Sequence, residues 1–208
     1  MDGVLIDSEP AWASAREQFT RESGGGWHEG AQEEMMGMSS TEWSRYMHDE
    51  LGVPMEPDEI SAAVVERLKA HYRRAVPLLP GAVETVCALA RRWPLAVASS
   101  ANRPLIDLVL ELTGMAGLFR ATVSSEEVLR GKPAPDVYIE AARRLDTAPE
   151  QCVAVEDSTN GILSASAAGM RVVAVPRPDF PPSAQALGVA DAVLDSLAEL
   201  EARLDDLT

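Results

Sequence analysis

The second part of the sequence alternates between two hydrophobic periods, and this alternation limits the available folds more than any other feature. Short apolar runs such as LAVASS at residues 95–100 and QCVAVED at 151–157 are separated by stretches with helical spacing, such as RPLIDLVLELTG at 103–114. Strand and helix periods that take turns are typical of β-α units on a parallel sheet. The apolar runs have no polar face, as expected for strands covered by helices on both sides. We therefore predict a doubly wound α/β domain.

The segment from residue 10 to residue 77 has a different pattern. Its three main stretches, EPAWASAREQFTRES, SSTEWSRYMHDELG and PDEISAAVVERLKAHYRRA, have helical spacing, and no strand-like run separates them. Glycines and prolines divide the stretches into separate helices. We predict a core α/β domain formed by residues 1–9 and 78–208, with an inserted α-helical cap domain at residues 10–77.

Composition excludes several classes of partner. The formal net charge is -15, from 18 Lys and Arg against 33 Asp and Glu, so nucleic acids and anionic membranes are not expected to bind. Cys87 and Cys152 are far apart and fit neither a disulfide framework nor a zinc site. No apolar run approaches the length of a membrane span, and no signal peptide is visible. We expect a cytoplasmic protein, either a monomer or a homodimer.

Polar residues follow or flank several of the predicted strands. Because ligands bind beyond the carboxyl ends of strands in open parallel sheets, these residues are expected to meet at one sheet edge. They are Asp2, Ser99, Ser100, Lys132, Glu156 and Asp157. Carboxylates can hold Mg²⁺, a lysine can neutralise charge on a transferring phosphoryl group, and a hydroxyl can bind its oxygens. The set therefore indicates phosphoryl transfer.

Each candidate also has a purely structural interpretation. Ser99 and Ser100 could end a strand and cap the helix that begins near Asn102, and Asp157 could cap the helix that follows it. Most lysines are solvated, but Lys132 lies between a glycine and two prolines in GKPAP, which constrains it. An unpaired acid pair at the end of an apolar strand would repel itself unless a cation were present. These points favour the functional interpretation.

Four motifs together resemble those of the haloacid dehalogenase-like hydrolases. They are MDGVLIDSEP at the start of the chain, VASSAN at residues 97–102, GKPAPDVY at 131–138 and VEDSTNGILSASAAGM at 155–170. The resemblance covers nearly the whole chain and is closest to the branch with a helical cap, which includes phosphoglycolate phosphatases and β-phosphoglucomutases. It implies a Rossmann-like core and Mg²⁺ as cofactor.

The resemblance also implies roles for individual residues. Catalytic roles fall to Asp2, Ser99 and Lys132, substrate binding to Ser99, Ser100, Asn102 and Lys132, and metal binding to Asp2, Glu156 and Asp157. In the family, the first motif is Asp-x-Asp-Gly, whose first aspartate is the nucleophile. Met1 occupies the x position and Asp2 the second aspartate, so the nucleophile and its apolar strand are expected immediately before Met1. The 208-residue chain is then expected to be inactive or poorly folded.

We predict a Mg²⁺-dependent phosphatase that hydrolyses a small phosphorylated metabolite through an aspartyl phosphate. One alternative is a sugar-phosphate mutase. β-Phosphoglucomutases use a histidine shortly after the first motif, whereas this chain has Trp12 in the matching region and no histidine. A second alternative is a non-catalytic protein that binds Mg²⁺ and phosphate. The sequence does not select among glycolate, hexose, polyol and nucleotide phosphates.

Overall fold

A computed structural model describes residues 1–207. Its α-helices are α1 (Glu9–Glu22), α2 (Ala31–Met35), α3 (Ser40–Asp49), α4 (Pro57–Arg74), α5 (Ala82–Ala90), α6 (Arg103–Leu112), α7 (Asp136–Leu145), α8 (Thr159–Ala167), α9 (Ala184–Leu187) and α10 (Leu200–Leu207). Its strands are β1 (Leu95–Ser99), β2 (Phe119–Ser124), β3 (Val153–Glu156), β4 (Arg171–Ala174) and β5 (Ala192–Val193). Helices and strands alternate from α5 onward, which confirms the α/β fold class.

The strands form two parallel groups rather than one continuous ladder. β1 pairs with β2, and β3, β4 and β5 pair in that order, with all pairings parallel. Ser99 and Glu156 are the last residues of β1 and β3. The carboxyl ends of these two strands therefore deliver polar side chains, as the sequence indicated.

An apolar cleft of about 480 Å³ lies between the two groups of strands. One side is lined by residues 95–98 of β1 and the other by residues 153–155 of β3. Side chains of α5, α7 and α10 also line it, and Met1 contributes to its wall. Within residues 1–207, β1 pairs only with β2 and β3 only with β4, so each has an unpaired edge. The cleft thus offers two strand edges and apolar helix faces.

The first four helices pack together through large apolar side chains. Trp43 and Met47 of α3 and Leu68 of α4 are almost fully buried. Pro57 is favourable in the first turn of α4, because a backbone N–H at that position would have no acceptor within the helix. Arg73 and Arg74, in the last turn, interact favourably with the negative end of the helix dipole. These helices account for the helical spacing of residues 10–77.

Two adjacent chain segments connect α1–α4 to the α/β part. The Asp7 N–H donates to the Pro77 carbonyl over 2.8 Å, and the Leu79 N–H donates to the Leu5 carbonyl over 2.9 Å. Ile6 forms an antiparallel bridge with Leu78. The paired segments lie close to the predicted domain boundaries, which remain predictions.

The residues after Asp2 form a turn, although the apolar run VLI at residues 4–6 resembles a strand. Asp2 and Ile6 form an isolated bridge, and the Leu5 N–H donates to the Met1 carbonyl over 2.7 Å. Gly3 has a φ of 66°, in the left-handed region that favours glycine. The turn places Asp2 at the carboxyl end of β1.

None of the helices in residues 1–207 combines the length and apolar character that a bilayer span requires.

Candidate active site

Lys132 lies at the centre of a buried hydrogen-bonded group. Its ammonium donates to Glu156 Oε1 over 2.5 Å, to the Ala98 carbonyl over 3.2 Å and to the Tyr138 hydroxyl over 3.3 Å. The Tyr138 hydroxyl donates to the same Glu156 oxygen over 2.6 Å. The side chains of Lys132 and Glu156 are only 8% and 7% exposed. These contacts hold a cation in place beside the end of β1.

Glu156 is fully engaged by protein donors. Its second oxygen, Oε2, accepts from the Ser158 hydroxyl over 3.1 Å and from the backbone N–H groups of Asp157 and Ser158. Burial raises the pKa of Glu156, but the charge of Lys132 and the hydrogen bonds from Lys132 and Tyr138 lower it by a larger amount. The pKa of Glu156 therefore lies below its ordinary value. Glu156 therefore fixes Lys132 and the loop after β3.

Asp2 and Ser99 form the second element of the site. The Ser99 hydroxyl donates to Asp2 Oδ2 over 3.2 Å and accepts from the Ala101 N–H over 3.1 Å. The other Asp2 oxygen, Oδ1, is buried and has no hydrogen-bond partner among the described residues. A buried carboxylate oxygen without a partner is costly unless a proton donor or a cation completes the site.

Asp157 lies directly against the turn that carries Asp2. A Cβ atom added to Gly3 would lie 1.7 Å from Asp157 Oδ2, so only glycine fits there. Burial and the neighbouring Glu156 raise the pKa of Asp157 above its ordinary value. Asp2 and Asp157 are thus two hard oxygen donors at one place, which fits the chemistry of Mg²⁺. No group of three acidic, histidine or cysteine side chains with metal-binding geometry occurs in residues 1–207.

The N-terminus of α8 is shaped around Glu156. Ser158 caps the helix, because its hydroxyl accepts from the Gly161 N–H over 3.1 Å. A Cβ atom on Gly161 would lie 2.0 Å from the Glu156 carboxylate. Gly161 is therefore required by the site, and its place in the sequence gives no direct signal of this role.

One cavity of about 720 Å³ joins these residues to the helical segment. The predicted residues that line it are Asp2, Ser99, Ser100, Lys132, Glu156 and Asp157. The helical segment also lines the cavity, through Trp12 and Arg16 of α1, Gln32 and Met35 of α2, and Met36 and Met38 of the loop after α2. The structure thus brings the strand-end residues together in one cavity with residues of α1 and α2.

Asn102 is the exception among the predicted residues, because it is not part of the cavity wall. Its side-chain amide donates to Glu126 Oε1 over 2.7 Å and lies 3.5 Å from the Ser61 hydroxyl of α4. Glu126 also accepts from Ser40 of α3 over 3.1 Å. Asn102 connects the α/β part to the helical segment, and we do not include it in the proposed substrate site.

Three further residues, none of them predicted from the sequence, contribute to the site. The Tyr138 hydroxyl contacts both Lys132 and Glu156. The sequence indicated this role only through the place of Tyr138 in the motif GKPAPDVY. Arg177, in the loop after β4, lines the cavity and pairs with Asp7 at 3.0 Å. Arg16 lies within an ordinary helical pattern, so nothing in the sequence separates it from a surface arginine.

Most of the chain matches a known protein family. The family model described as haloacid dehalogenase-like hydrolase matches residues 1–175. The chain belongs to the haloacid dehalogenase-like hydrolases. This result confirms the family predicted from the four motifs.

Individual members of the haloacid dehalogenase-like hydrolases resemble the chain over nearly its full length. A probable pseudouridine-5'-phosphatase from Drosophila melanogaster is 32% identical over 208 residues, which covers 97% of this chain and 89% of that protein. Hexitol phosphatase B from Escherichia coli (strain K12) is 31% identical over 223 residues, covering 98% and 92%. The crystal structure of CbbY from Rhodobacter sphaeroides in complex with phosphate superimposes with a TM-score of 0.84 at 28% identity, covering 96% and 93%.

Proposed function

We propose that the protein is a phosphoric monoester hydrolase that acts on a small phosphorylated metabolite in the cytoplasm and depends on Mg²⁺. The observation that carries the proposal is the convergence of Lys132, Ser99, Asp2 and Asp157 on one cavity wall. A fixed cation and a hydroxyl beside two carboxylates suit the binding of a phosphate group together with a divalent ion. The names of the two curated relatives above, both phosphatases, support the same activity.

Lys132 and Ser99 would bind the phosphoryl oxygens. Lys132 is positioned by the Ala98 carbonyl, Tyr138 and Glu156, so little reorganisation is needed when charge develops on the phosphoryl group. The Ser99 hydroxyl donates a hydrogen bond to Asp2 in this structure, and it can rotate to donate to a phosphate oxygen instead. Both side chains act by positioning and electrostatic stabilisation, which dominate catalysis of phosphoryl transfer.

We assign Asp2 as the general acid and base. In the first step, an aspartate carboxylate attacks the phosphorus, the bond to the leaving oxygen breaks, and Asp2 gives that oxygen a proton. In the second step, Asp2 takes a proton from water as the water attacks phosphorus, which releases inorganic phosphate and regenerates the carboxylate. The position of Asp2 at the cavity wall supports this assignment.

We further propose that the Mg²⁺ is held by the Asp157 carboxylate and by the backbone carbonyl of Asp2, the Asp2 atom that the family resemblance implies as a ligand. A bound Mg²⁺ would neutralise charge on the Asp157 carboxylate and the phosphate, which would let them approach one another. The close contact between Asp157 and the turn that carries Asp2 supports this set and leaves the Asp2 carboxylate available for proton transfer. Glu156, which the family resemblance also implies as a ligand, already accepts hydrogen bonds at both oxygens, and we assign it to positioning Lys132.

The attacking aspartate is proposed to precede Met1 at the end of an apolar strand. The cleft between β1 and β3 supports this, because it has two unpaired strand edges and apolar helix faces, the environment of a central parallel strand. Met1 lines both the cleft and the cavity, so a residue joined to it at the end of such a strand would lie near the site. An in-frame stop codon before Met1, or a residue other than aspartate, would contradict this assignment.

Hydrolysis is favoured over mutase activity. A mutase must protect its phosphoenzyme from water and offer it to a second substrate hydroxyl. Trp12, in the region where β-phosphoglucomutases have a histidine, packs edge to face on Trp43 with ring centroids 5.7 Å apart. An indole in this position cannot act as an acid or base.

The decisive experiment measures hydrolysis of p-nitrophenyl phosphate by the protein extended through the residues encoded in frame before Met1. We expect Mg²⁺-dependent turnover that is lost on addition of EDTA and falls at least about 100-fold in Lys132→Ala, as for removal of a transition-state donor. Arg130→Ala is the matched control, because Arg130 is exposed and pairs only with Asp136 among the described residues. Phosphate binding without turnover would instead support a non-catalytic protein.

A further inference from the structure

Arg16 of α1 is a buried cation that lies near the carboxylates of Glu9 and Asp2 without an ion pair to either. Its residue is 5% exposed, and no ion pair to it occurs in the part of the chain that the structure describes. Its Nη1 lies 3.4 Å from Gln32 Oε1, and its buried Nε has no hydrogen-bond partner among the described residues. A buried guanidinium with an unused donor is costly, and such groups commonly mark a place where a ligand binds.

Two indole rings fix the guanidinium in the cavity wall. The guanidinium carbon lies 4.5 Å from the ring centroid of Trp12 and 5.0 Å from that of Trp43. These cation–π contacts partly compensate for the loss of water. Burial lowers the pKa of Arg16 to about 10, with Glu9 and Asp2 opposing the shift, so the group stays positively charged at neutral pH. Arg16 is therefore held in place in the wall of the cavity that Asp2 and Lys132 also line.

Gln32 connects Arg16 to a carboxylate. The Gln32 amide nitrogen donates to Glu9 Oε2 over 2.9 Å, while its oxygen faces Arg16. All three side chains line the cavity. They present donors from Arg16 and Gln32 beside an acceptor from Glu9. A substrate hydroxyl can donate and accept at once, so it can bind within such a set, whereas an anion can only accept.

The charge of this wall disfavours an anionic substituent. Besides Glu9, the carboxylates of Glu29 and Glu33 line the cavity, while Arg177 is paired with Asp7. A second phosphate or a carboxylate on the substrate would approach Arg16 through this negative field. An uncharged substituent with several hydroxyls meets no such repulsion, and its C–H faces can contact the indoles.

We propose that Arg16, Gln32 and Glu9 form the specificity site of the phosphatase and bind hydroxyl groups of an uncharged, polyhydroxylated leaving group. The substrate is then a monophosphate of a sugar alcohol or sugar rather than a bisphosphate or a phosphorylated acid. This inference rests on the proposed function, because the strand-end residues must bind the phosphate for the leaving group to reach Arg16.

The test compares kcat/KM for sorbitol 6-phosphate, phosphoglycolate and p-nitrophenyl phosphate, using the same extended protein. We expect Arg16→Gln to lower kcat/KM for sorbitol 6-phosphate about 10-fold to 100-fold, the range for a lost hydrogen bond to a charged group. For p-nitrophenyl phosphate, which has no leaving-group hydroxyls, we expect a change below about 3-fold, within the loss of a weak contact. Gln32→Ala is a second variant for the case in which Arg16→Gln folds poorly, because Gln32 is partly exposed. It should show the same selective loss of kcat/KM.

Arg67→Gln is the matched control. Arg67 also lies over an aromatic ring, with its guanidinium carbon 5.3 Å from the Phe19 centroid, and pairs with Glu22, but it does not line the cavity. Arg67→Gln should leave kcat/KM unchanged for all three substrates. Equal losses on all substrates in folded Arg16→Gln, or a selective loss for phosphoglycolate, would overturn the inference while leaving the phosphatase intact. Failure of the parent protein to hydrolyse any of the three would overturn the proposed function and this inference with it.

Discussion

Replacing Lys132 with methionine tests how the site is held together. The change keeps the length of the side chain but removes the charge that faces Glu156 over 2.5 Å. The Glu156 carboxylate then stays buried, with hydrogen bonds from Tyr138 and Ser158 but no cation in contact. Removing one partner of a buried ion pair costs about 3–5 kcal/mol, because the remaining charge is uncompensated. For a chain of this size, that corresponds to a decrease in Tm of about 6–20 °C.

The deficit should depend on pH. In the parent protein, the pKa of Glu156 lies below its ordinary value because Lys132 and Tyr138 outweigh burial. Its carboxylate therefore contributes stability above the unfolded pKa of about 4.3, and this is lost as pH falls through the folded pKa. Without Lys132, the remaining burial raises the pKa of Glu156. The variant can then take up a proton at low pH and loses stability as pH rises, so its deficit is larger at pH 8 than at pH 5.

Urea unfolding of the parent and of Lys132→Met at these two pH values measures the effect directly. The double variant Lys132→Met/Glu156→Gln is the control, because a neutral amide removes the buried charge and should recover about 2 kcal/mol at pH 8. A deficit below about 1 kcal/mol, the size expected for an exposed pair, would contradict a buried ion pair between Lys132 and Glu156. A deficit that is equal at both pH values would show that lost packing, not the charge of Glu156, is responsible.

Two further substitutions test close contacts of the structure. Gly3→Ala places a Cβ 1.7 Å from Asp157 Oδ2, so we expect activity to fall at least about 100-fold, whereas Gly52→Ala, with a φ of 65° and no atom within 4 Å, should cost only about 1 kcal/mol of stability. Comparable activity of the two variants would contradict the contact. Glu126→Ala removes the shared acceptor of the Ser40 hydroxyl and the Asn102 amide, and urea unfolding should show a loss of at least about 1–2 kcal/mol. An unchanged unfolding free energy would indicate that these contacts contribute nothing.

Much of the fold could be predicted because its elements are locally encoded. The apolar runs that end at Ser99 and Glu156 are strands, and the helical spacing of residues 10–77 gives helices α1–α4. The run VLI at residues 4–6 was misleading, since three apolar residues are too few to distinguish a strand from a turn. The sequence did not show which two strands would flank the apolar strand expected before Met1, because strand pairing depends on which edges meet in space.

The order of residues along the chain shows which chemical groups are available and indicates that they gather at one end of the sheet. The order of Asp2, Ser99, Lys132 and Asp157 along the chain, with parallel strands between them, was enough to predict their convergence. It could do so because all strands of a parallel sheet end at the same edge.

The partner of each group depends on the three-dimensional packing. In the folded chain Glu156 pairs with Lys132, Asn102 lies against Glu126 outside the cavity, and Arg16 is a buried arginine in the cavity wall. Charge, burial and hydrogen bonding act over a few ångströms in space. Helical or strand spacing fixes the face on which a side chain lies, but not the group from a distant part of the chain that it meets.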